Sequence, residues 1–404
     1  MNRRHKSDRA IGVVVVILLL IGLMVIYAIG PMTANYINVA YGTERYGTSD
    51  FFIHQLISVV LSLFVLFAAF KLPYDKIRKF AKWIMLASLL TGVALAFLAL
   101  IGSSVANCAG GGCRWFRFGS LSFQPAEFIK LGVVLYLSQL AAKCKNENKL
   151  TMSDFGLPFG VVSLLALFLV VVLQNDLGSG VSLLAIILAI LFMSGISIKS
   201  FLMVLVAVLI VGVLAIVTSS HRMERIMTFF GEGGSDESYQ IENAMIAIGT
   251  GGLFGAGIGN SLQATGYLPE SINDAIFAVM GETVGFVGLL AIVLCFMFLL
   301  SRLLKVSERM EGDTEYQLIV VGIFAWVGSQ VATNIMAMTG LIPLTGVTLP
   351  FLSYGGTSML FTAAALGLCL QISCYTGREG KHNESISSGR RFRGTHHASR
   401  SGRS

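Results

Sequence analysis

Apolar residues along this chain do not alternate with polar ones; they run on in blocks separated by short polar punctuation. Ten such blocks lie at about 11–30, 51–70, 82–102, 125–142, 157–174, 177–195, 201–217, 275–301, 317–338 and 357–375. Each is long enough to cross the roughly 30 Å of hydrocarbon in a bilayer as an α-helix, which takes about 20 residues. A transmembrane β-strand would alternate over about ten positions, so these unbroken runs exclude a barrel. The pattern predicts an all-α integral membrane protein of about ten transmembrane helices. The first block follows Arg3, Arg4, Lys6 and Arg9, the flank of a secretory signal. Its length and the lack of a small-x-small cleavage site make it a retained first helix instead.

Composition agrees. Of 404 residues 55% are hydrophobic and 13% charged, with a mean hydropathy of +0.76, values no water-soluble domain of this length sustains. The net charge of +7 would suggest nucleic acid in a soluble protein, but here it is a topological signal. With the amino terminus inside, 23 of the 29 lysines and arginines fall on cytoplasmic segments, as membrane insertion favours. Both termini are therefore expected in the cytoplasm. The segments expected outside, 31–50, 103–124, 218–274 and 339–356, are the long ones, with the largest between helices seven and eight. Within it Ile241–Ile248 is apolar enough to lie against or re-enter the membrane. The expected organisation is a cytoplasmic arm, 1–10, a polytopic catalytic domain, 11–375, and a basic tail, 376–404, too polar to build a core.

Short inner loops leave no room for a cytoplasmic catalytic domain. The glycine-rich "GTGGLFGAGIGN" from Gly249 lacks the Lys-Ser/Thr of a phosphate-binding loop, so nucleotide binding is unsupported. Of six cysteines, Cys108 and Cys113 share one outer loop, where they form either a disulfide or two free thiols.

The remaining chemistry sits in four polar clusters. "GYLPESINDAIFAVMGE" holds Glu270, Asp274 and Glu282 at the entry to the eighth span. Asp274 reads either as a helix cap or as a carboxylate facing a cavity, since an ionisable group at membrane depth costs roughly 2.5–3.5 kcal/mol and is usually kept for a task. Glu282, eight residues on, would line the same cavity at greater depth. "CRWFRFGSLSFQPAEFIK" carries Arg114, Arg117 and Gln124 and places Glu127 and Lys130 three apart on one helix face, where an ion pair is the cheapest arrangement. "QNDLGSG" is a tight turn in which Asp176 can cap the sixth helix. "LIPLTGVTLPFLSYGGTS" contains Ser353, and its prolines and glycines force irregular backbone that a membrane tolerates only under protein or water cover.

These clusters, in this order on ten spans, resemble the SEDS family of shape, elongation, division and sporulation proteins, with "GVTLPFLSYGG" closer to the division and sporulation branch. The chain departs from the family pattern at Asn175, where Gln-Pro-Asp is usual, at Ala126 in Gln-Pro-Ser-Glu, and around Asp274, usually Thr-Asp-Phe. The resemblance implies a peptidoglycan glycosyltransferase that polymerises lipid II at the outer face of the bacterial cytoplasmic membrane. By motif position it implies Asp274 as the general base, Glu127 and Lys130 as an ion pair, and Gln124 and Asp176 as cavity residues. Arg114, Arg117, Arg222, Arg225, Glu270 and Ser353 are the further candidates for substrate contact. A diphosphate leaving group is stable as an anion and needs cations rather than a second acid, so arginines suffice, with a divalent cation, Mg or Mn, as an optional helper. The implied partners are a class B penicillin-binding protein and other division proteins, with no nucleic acid. The competing reading is a lipid II flippase, but transporters often show inverted repeats and none is evident here.

Overall fold

The computed structural model describes residues 7–109, 111–119, 121–217, 223, 227–229, 236–310 and 312–375. Each of the ten apolar blocks is a helix. In chain order these are α1 (Arg9–Tyr41), α2 (Asp50–Lys71), α3 (Tyr74–Leu100), α4 (Pro125–Asn146), α5 (Leu157–Leu167, continued at both ends by π-helical turns), α6 (Leu177–Met193), α7 (Ile198–Val217), α9 (Ile276–Arg309), α10 (Thr314–Met338) and α11 (Gly356–Ile372). Between α7 and α9 lies a shorter helix, α8 (Asp236–Thr250), packed along α9 with Ala244 and Ala247 buried. This is the stretch the sequence marks as lying against or entering the membrane.

The helices divide into a centre and a rim. About 61% of the most apolar window of α10 is buried, against 22% for α2 and α3, so α10 is a core helix while α2 and α3 turn most of their apolar surface outward, toward lipid. Helix α4 is also central, which is why it tolerates Glu127 and Lys130: its partners α3, α6 and α10 surround it with protein rather than hydrocarbon. The two ends of the described chain meet. Asp8 receives a hydrogen bond from Arg302 and donates its own N–H to the Ser373 hydroxyl, so the start of α1 and the exit of α11 lie at one end of the bundle.

The opposite end carries the elaborations, and three of them depart from a bare helix count. Helix α1 continues past Pro31 to Tyr41, eleven residues beyond the block that predicts it. Apolar positions persist there, with Ala34 buried and a turn around Gln263–Thr265 packed on the extension. Helix α9 is broken at Gly285, whose φ of 69° is open to glycine and costly for other residues. There Phe286 and Val287 donate to the carbonyls of Gly252 and Leu253, so the glycine-rich loop satisfies backbone that the helix gives up.

The third is a small antiparallel sheet in the 103–124 segment: β1 (Ala106–Ala109), β2 (Gly112–Phe118) and β3 (Leu121–Phe123). Cys108 and Cys113 face each other across β1 and β2 and are joined as a disulfide, which decides between the two alternatives the sequence leaves open. Phe123 rests on Phe128 of α4 and Phe361 of α11, fixing the sheet over the bundle. Closing so short a loop is worth about 2 kcal/mol on the chain-entropy account. A Cys108→Ser, Cys113→Ser variant is expected to lose about that much stability, read as a lowered thermal midpoint in detergent that added reductant no longer changes.

Candidate active site

Four segments converge beneath the sheet: the start of α4, the turn into α6, the irregular stretch 341–355 between α10 and α11, and the turn into α9. Each is placed by a polar contact that a membrane interior makes obligatory.

The turn into α6 is the best defined. Asp176 caps the helix by accepting from the Ser179 N–H at 3.0 Å, and its other oxygen accepts from Gln124 Nε2 at 3.0 Å, at the start of α4. Asn175 takes a φ of 51°, a conformation closed to the proline found there in the SEDS pattern. It donates to the Gly111 carbonyl at 3.0 Å, while its own carbonyl accepts from Arg114 Nη2 at 2.9 Å. Arg114 is thus held over the α6 turn by one nitrogen, and its buried Nε has no hydrogen-bond partner among the described residues. Gln174, fully buried, likewise leaves both amide atoms without one.

The loop 341–355 presses on this turn. A Cβ added at Gly178 would collide with the Thr345 carbonyl and the Val347 side chain, and one added at Gly22 of α1 would meet the backbone of Phe351 and Leu352. The non-helical backbone therefore reaches in among α1 and α6 under protein cover, with Leu344, Val347, Leu349, Phe351 and Leu352 buried. A Cβ built on Gly346 would lie 3.8 Å from Arg114 Nη1, so the guanidinium flanks the loop. Ser353 is buried in the loop, its hydroxyl accepting from the Leu349 N–H at 2.8 Å and its carbonyl from Gln55 Nε2 at 3.3 Å. An Asp176→Ala variant should lose about 1–2 kcal/mol, the worth of an N-cap. Asp176→Asn should lose well under about 1 kcal/mol, because Asn caps equally well and Gln124 can turn its amide to match. Thermal midpoints of the two variants check this ordering.

Asp274 lies in the turn before α9 at this same end of the bundle and is 9% exposed. It is not the cap: the helix begins at Ile276, and the N-cap, Ala275, has no side-chain cap bond. The turn is instead closed by the Glu270 carbonyl, which accepts from the Asn273 and Ala275 N–H groups, while the exposed Glu270 carboxylate accepts from the Asn273 side chain. The Asp274 carbonyl accepts from Asn334 Nδ2 at 2.7 Å. Asn334 also donates to the Val347 carbonyl at 2.7 Å, joining the α9 turn to the loop that Arg114 flanks.

The buried Glu282 is engaged by the protein itself. Its carboxylate accepts from the Ser261 hydroxyl and from the N–H groups of Leu262 and Gln263, clasping the chain that returns from the glycine-rich loop. Glu127 and Lys130 form a buried ion pair at 2.6 Å, 3% and 1% exposed, with Lys130 Nζ 5.1 Å from the Trp326 ring centre. Arg117 is exposed on β2. Arg222 and Arg225 lie outside the described residues. Among the described residues no three His, Cys, Asp or Glu side chains gather as a metal cage for Mg or Mn. Asn334 is not singled out by the sequence, because it shares the largely apolar 317–338 block with other polar side chains, Gln317, Ser329, Gln330 and Thr333.

Residues 9–378 match the FtsW/RodA/SpoVE family, described as cell cycle protein. Among curated relatives, a probable peptidoglycan glycosyltransferase FtsW of Coxiella burnetii is 31% identical over 86% of this chain and 93% of its own. Stage V sporulation protein E of Bacillus subtilis is 32% identical over 92% and 98%. Among solved structures, the rod shape determining protein RodA of Thermus thermophilus superposes with a TM-score of 0.64 at 24% identity, covering 91% of this chain and 96% of that one. A chain from a peptidoglycan synthase complex that coordinates polymerization and crosslinking superposes at 0.68, also at 24% identity, covering 91% and 97%. The match over residues 9–378 and the relatives above 30% identity place the chain in the FtsW/RodA/SpoVE family of multi-pass membrane proteins.

Proposed function

We propose that this protein is a peptidoglycan glycosyltransferase that polymerises lipid II at the outer face of the cytoplasmic membrane, in division or sporulation, with Asp274 as general base. The reaction class rests on the FtsW relative named for it, and the sporulation alternative on stage V sporulation protein E. The observation that carries the site is the convergence of Asp274, the loop 341–355 and Arg114 through Asn334 at one end of the bundle. The other end collects Lys71, Lys76, Arg78, Lys79, Lys143, Lys145, Arg302 and Arg309, which supports placing it, with both termini, in the cytoplasm.

The sugar hydroxyl that attacks the anomeric carbon must shed its proton as the new bond forms. A carboxylate within reach takes it, a contribution of about 10²–10⁴-fold in rate. The lipid diphosphate departs as an anion. Arg114, anchored on the Asn175 carbonyl by one nitrogen and with its Nε uncommitted, is the described cation best placed to grip it; Arg117, Arg222 and Arg225 are further candidates. Gln124 and Asp176 brace the wall on which Arg114 stands, and Glu270 holds the Asp274 turn. Ser353 shapes the loop from within. The crosslinking partner proposed for the product strands is a class B penicillin-binding protein.

Reconstituting the purified protein with that partner and labelled lipid II tests the reading. Polymeric glycan without any other polymerase is the expected result. Glycan that forms only when a class A polymerase is added would replace the reading with transport.

A further inference from the structure

The amide of Asn334 occupies an unusual position for a side chain in a membrane helix. It is 1% exposed, on the face of α10 that also presents Gly322, Trp326 and Gln330 at four-residue intervals to α4 and α6. Both of its reported hydrogen bonds are donated by Nδ2, each at 2.7 Å, and they go to carbonyls of two different irregular segments. One is Asp274, whose carbonyl precedes the first turn of α9 and lies outside its ladder, since the Ala278 N–H bonds Ala275 instead. The other is Val347, whose side chain and neighbouring Thr345 carbonyl abut Gly178 just after the Asp176 cap. Neither segment has regular secondary structure to hold it in register with the other.

We infer that Asn334 is a positioning residue for glycosyl transfer: its amide sets the separation between the Asp274 turn and the loop wall that carries Arg114, and so aligns the base at the acceptor's attacking hydroxyl with the grip on the donor's departing diphosphate. The inference rests on the assignment of Asp274 above. A single amide serves because both acceptors are backbone carbonyls, which a side-chain substitution at either position leaves in place. A shift of about 1 Å in such a constellation costs on the order of 10²-fold in rate while leaving substrate contacts elsewhere intact.

Asn334→Ala is therefore expected to lower kcat for lipid II polymerisation on the order of 10²-fold, with KM changed less than about threefold, the pattern of lost transition-state alignment rather than lost binding. Amide hydrogen exchange should accelerate in 268–278 and 343–353 and stay unchanged in α2 and α3. Asn334→Asp, which cannot donate twice, should match Asn334→Ala, whereas Asn334→Gln, which keeps the two donors on a longer arm, should recover part of the rate. Coupling to the base is read by adding Asp274→Glu: the double variant should be less impaired than the product of the single effects, because the clamp no longer fixes the reach of the carboxylate. Wild-type kcat in Asn334→Ala, or a fall in kcat matched by an equal loss of folded protein with exchange raised everywhere, would overturn the inference. Activity persisting in Asp274→Asn, with exchange still accelerated in Asn334→Ala, would instead remove the base assignment and leave the clamp as a structural tie.

Discussion

An Asp274→Asn variant is expected to fold, to insert, to bind lipid II and to make no measurable glycan. Folding should survive because Asn leaves in place the backbone bonds that hold this turn: the Asp274 carbonyl accepts from Asn334, and the neighbouring Ala275 N–H donates to the Glu270 carbonyl. Asn is close to isosteric with Asp, so those bonds and the packing of a side chain 9% exposed are retained. What disappears is the capacity to accept a proton, and loss of a positioned general base costs about 10²–10⁴-fold. Polymerisation of labelled lipid II measures the rate, photo-crosslinking of a lipid II analogue measures binding, and the thermal midpoint guards against unfolding. Asp274→Glu keeps the base on an arm one methylene longer and should retain an intermediate rate. Polymerisation by Asp274→Asn within threefold of wild type would end the assignment.

Legibility from the sequence followed the strength of the physical constraint. A bilayer demands about 20 apolar residues per crossing, so α2 and α11 could be placed within a residue or two at their starts, and α7 to its last residue. The extension of α1 to Tyr41 was not visible because it is held by tertiary contact with the segment around Gln263–Thr265, and Pro31 is an apparent stop. The sheet was hidden by its size: strands of four, seven and three residues are too short to establish an alternation, and their pairing is organised by the disulfide and by aromatic contacts with α4 and α11. Helix α9 looks continuous because nothing in the sequence sets Gly285 apart from Gly281 and Gly288 in the same apolar run; only its φ and the backbone bonds to Gly252 and Leu253 reveal the break.

The candidate site shows the same division. Polar residues within or bordering apolar blocks stand out as costly, which picks out Glu127 and Lys130 inside one and Asp176 and Asp274 at the edges of others. Their partners were not legible, because pairings such as Gln124 with Asp176 or Asn334 with Asp274 span 52 and 60 residues. Glu282 illustrates the limit: helical geometry offers it to the same cavity as Asp274 at greater depth, yet three donors from the returning loop claim its carboxylate. A costly group needs a reason to be where it is, and for Glu282 that reason is to satisfy backbone N–H groups that would otherwise lie unpaired in the bundle.

Breaking the Glu127–Lys130 pair should produce the largest loss of stability of any single substitution in the described bundle. The two charges sit at 3% and 1% exposure, 2.6 Å apart and one turn from one another on α4. An exposed pair at this spacing would be worth at most about 1 kcal/mol. Buried, the pair need not add much net stability, yet removing one partner leaves an uncompensated charge and costs about 3–5 kcal/mol. Lys130→Met should do so most clearly: the thioether fills the space against Trp326 while Glu127, one of whose oxygens has no hydrogen-bond partner among the described residues, loses the cation paired with it. The double variant Glu127→Gln, Lys130→Met removes both charges and should recover most of that loss, since apolar or neutral replacements of a buried pair are often neutral. Unfolding midpoints in detergent for the two single variants and the double variant form the required cycle. Recovery of stability without recovery of polymerisation would show that the pair does more than hold α4: Gln124, at the start of the same helix, braces Asp176 beneath Arg114, so a tilt of α4 reaches the site through that bond. Equal stability of Lys130→Met and wild type would mean that the pair is dispensable to the fold.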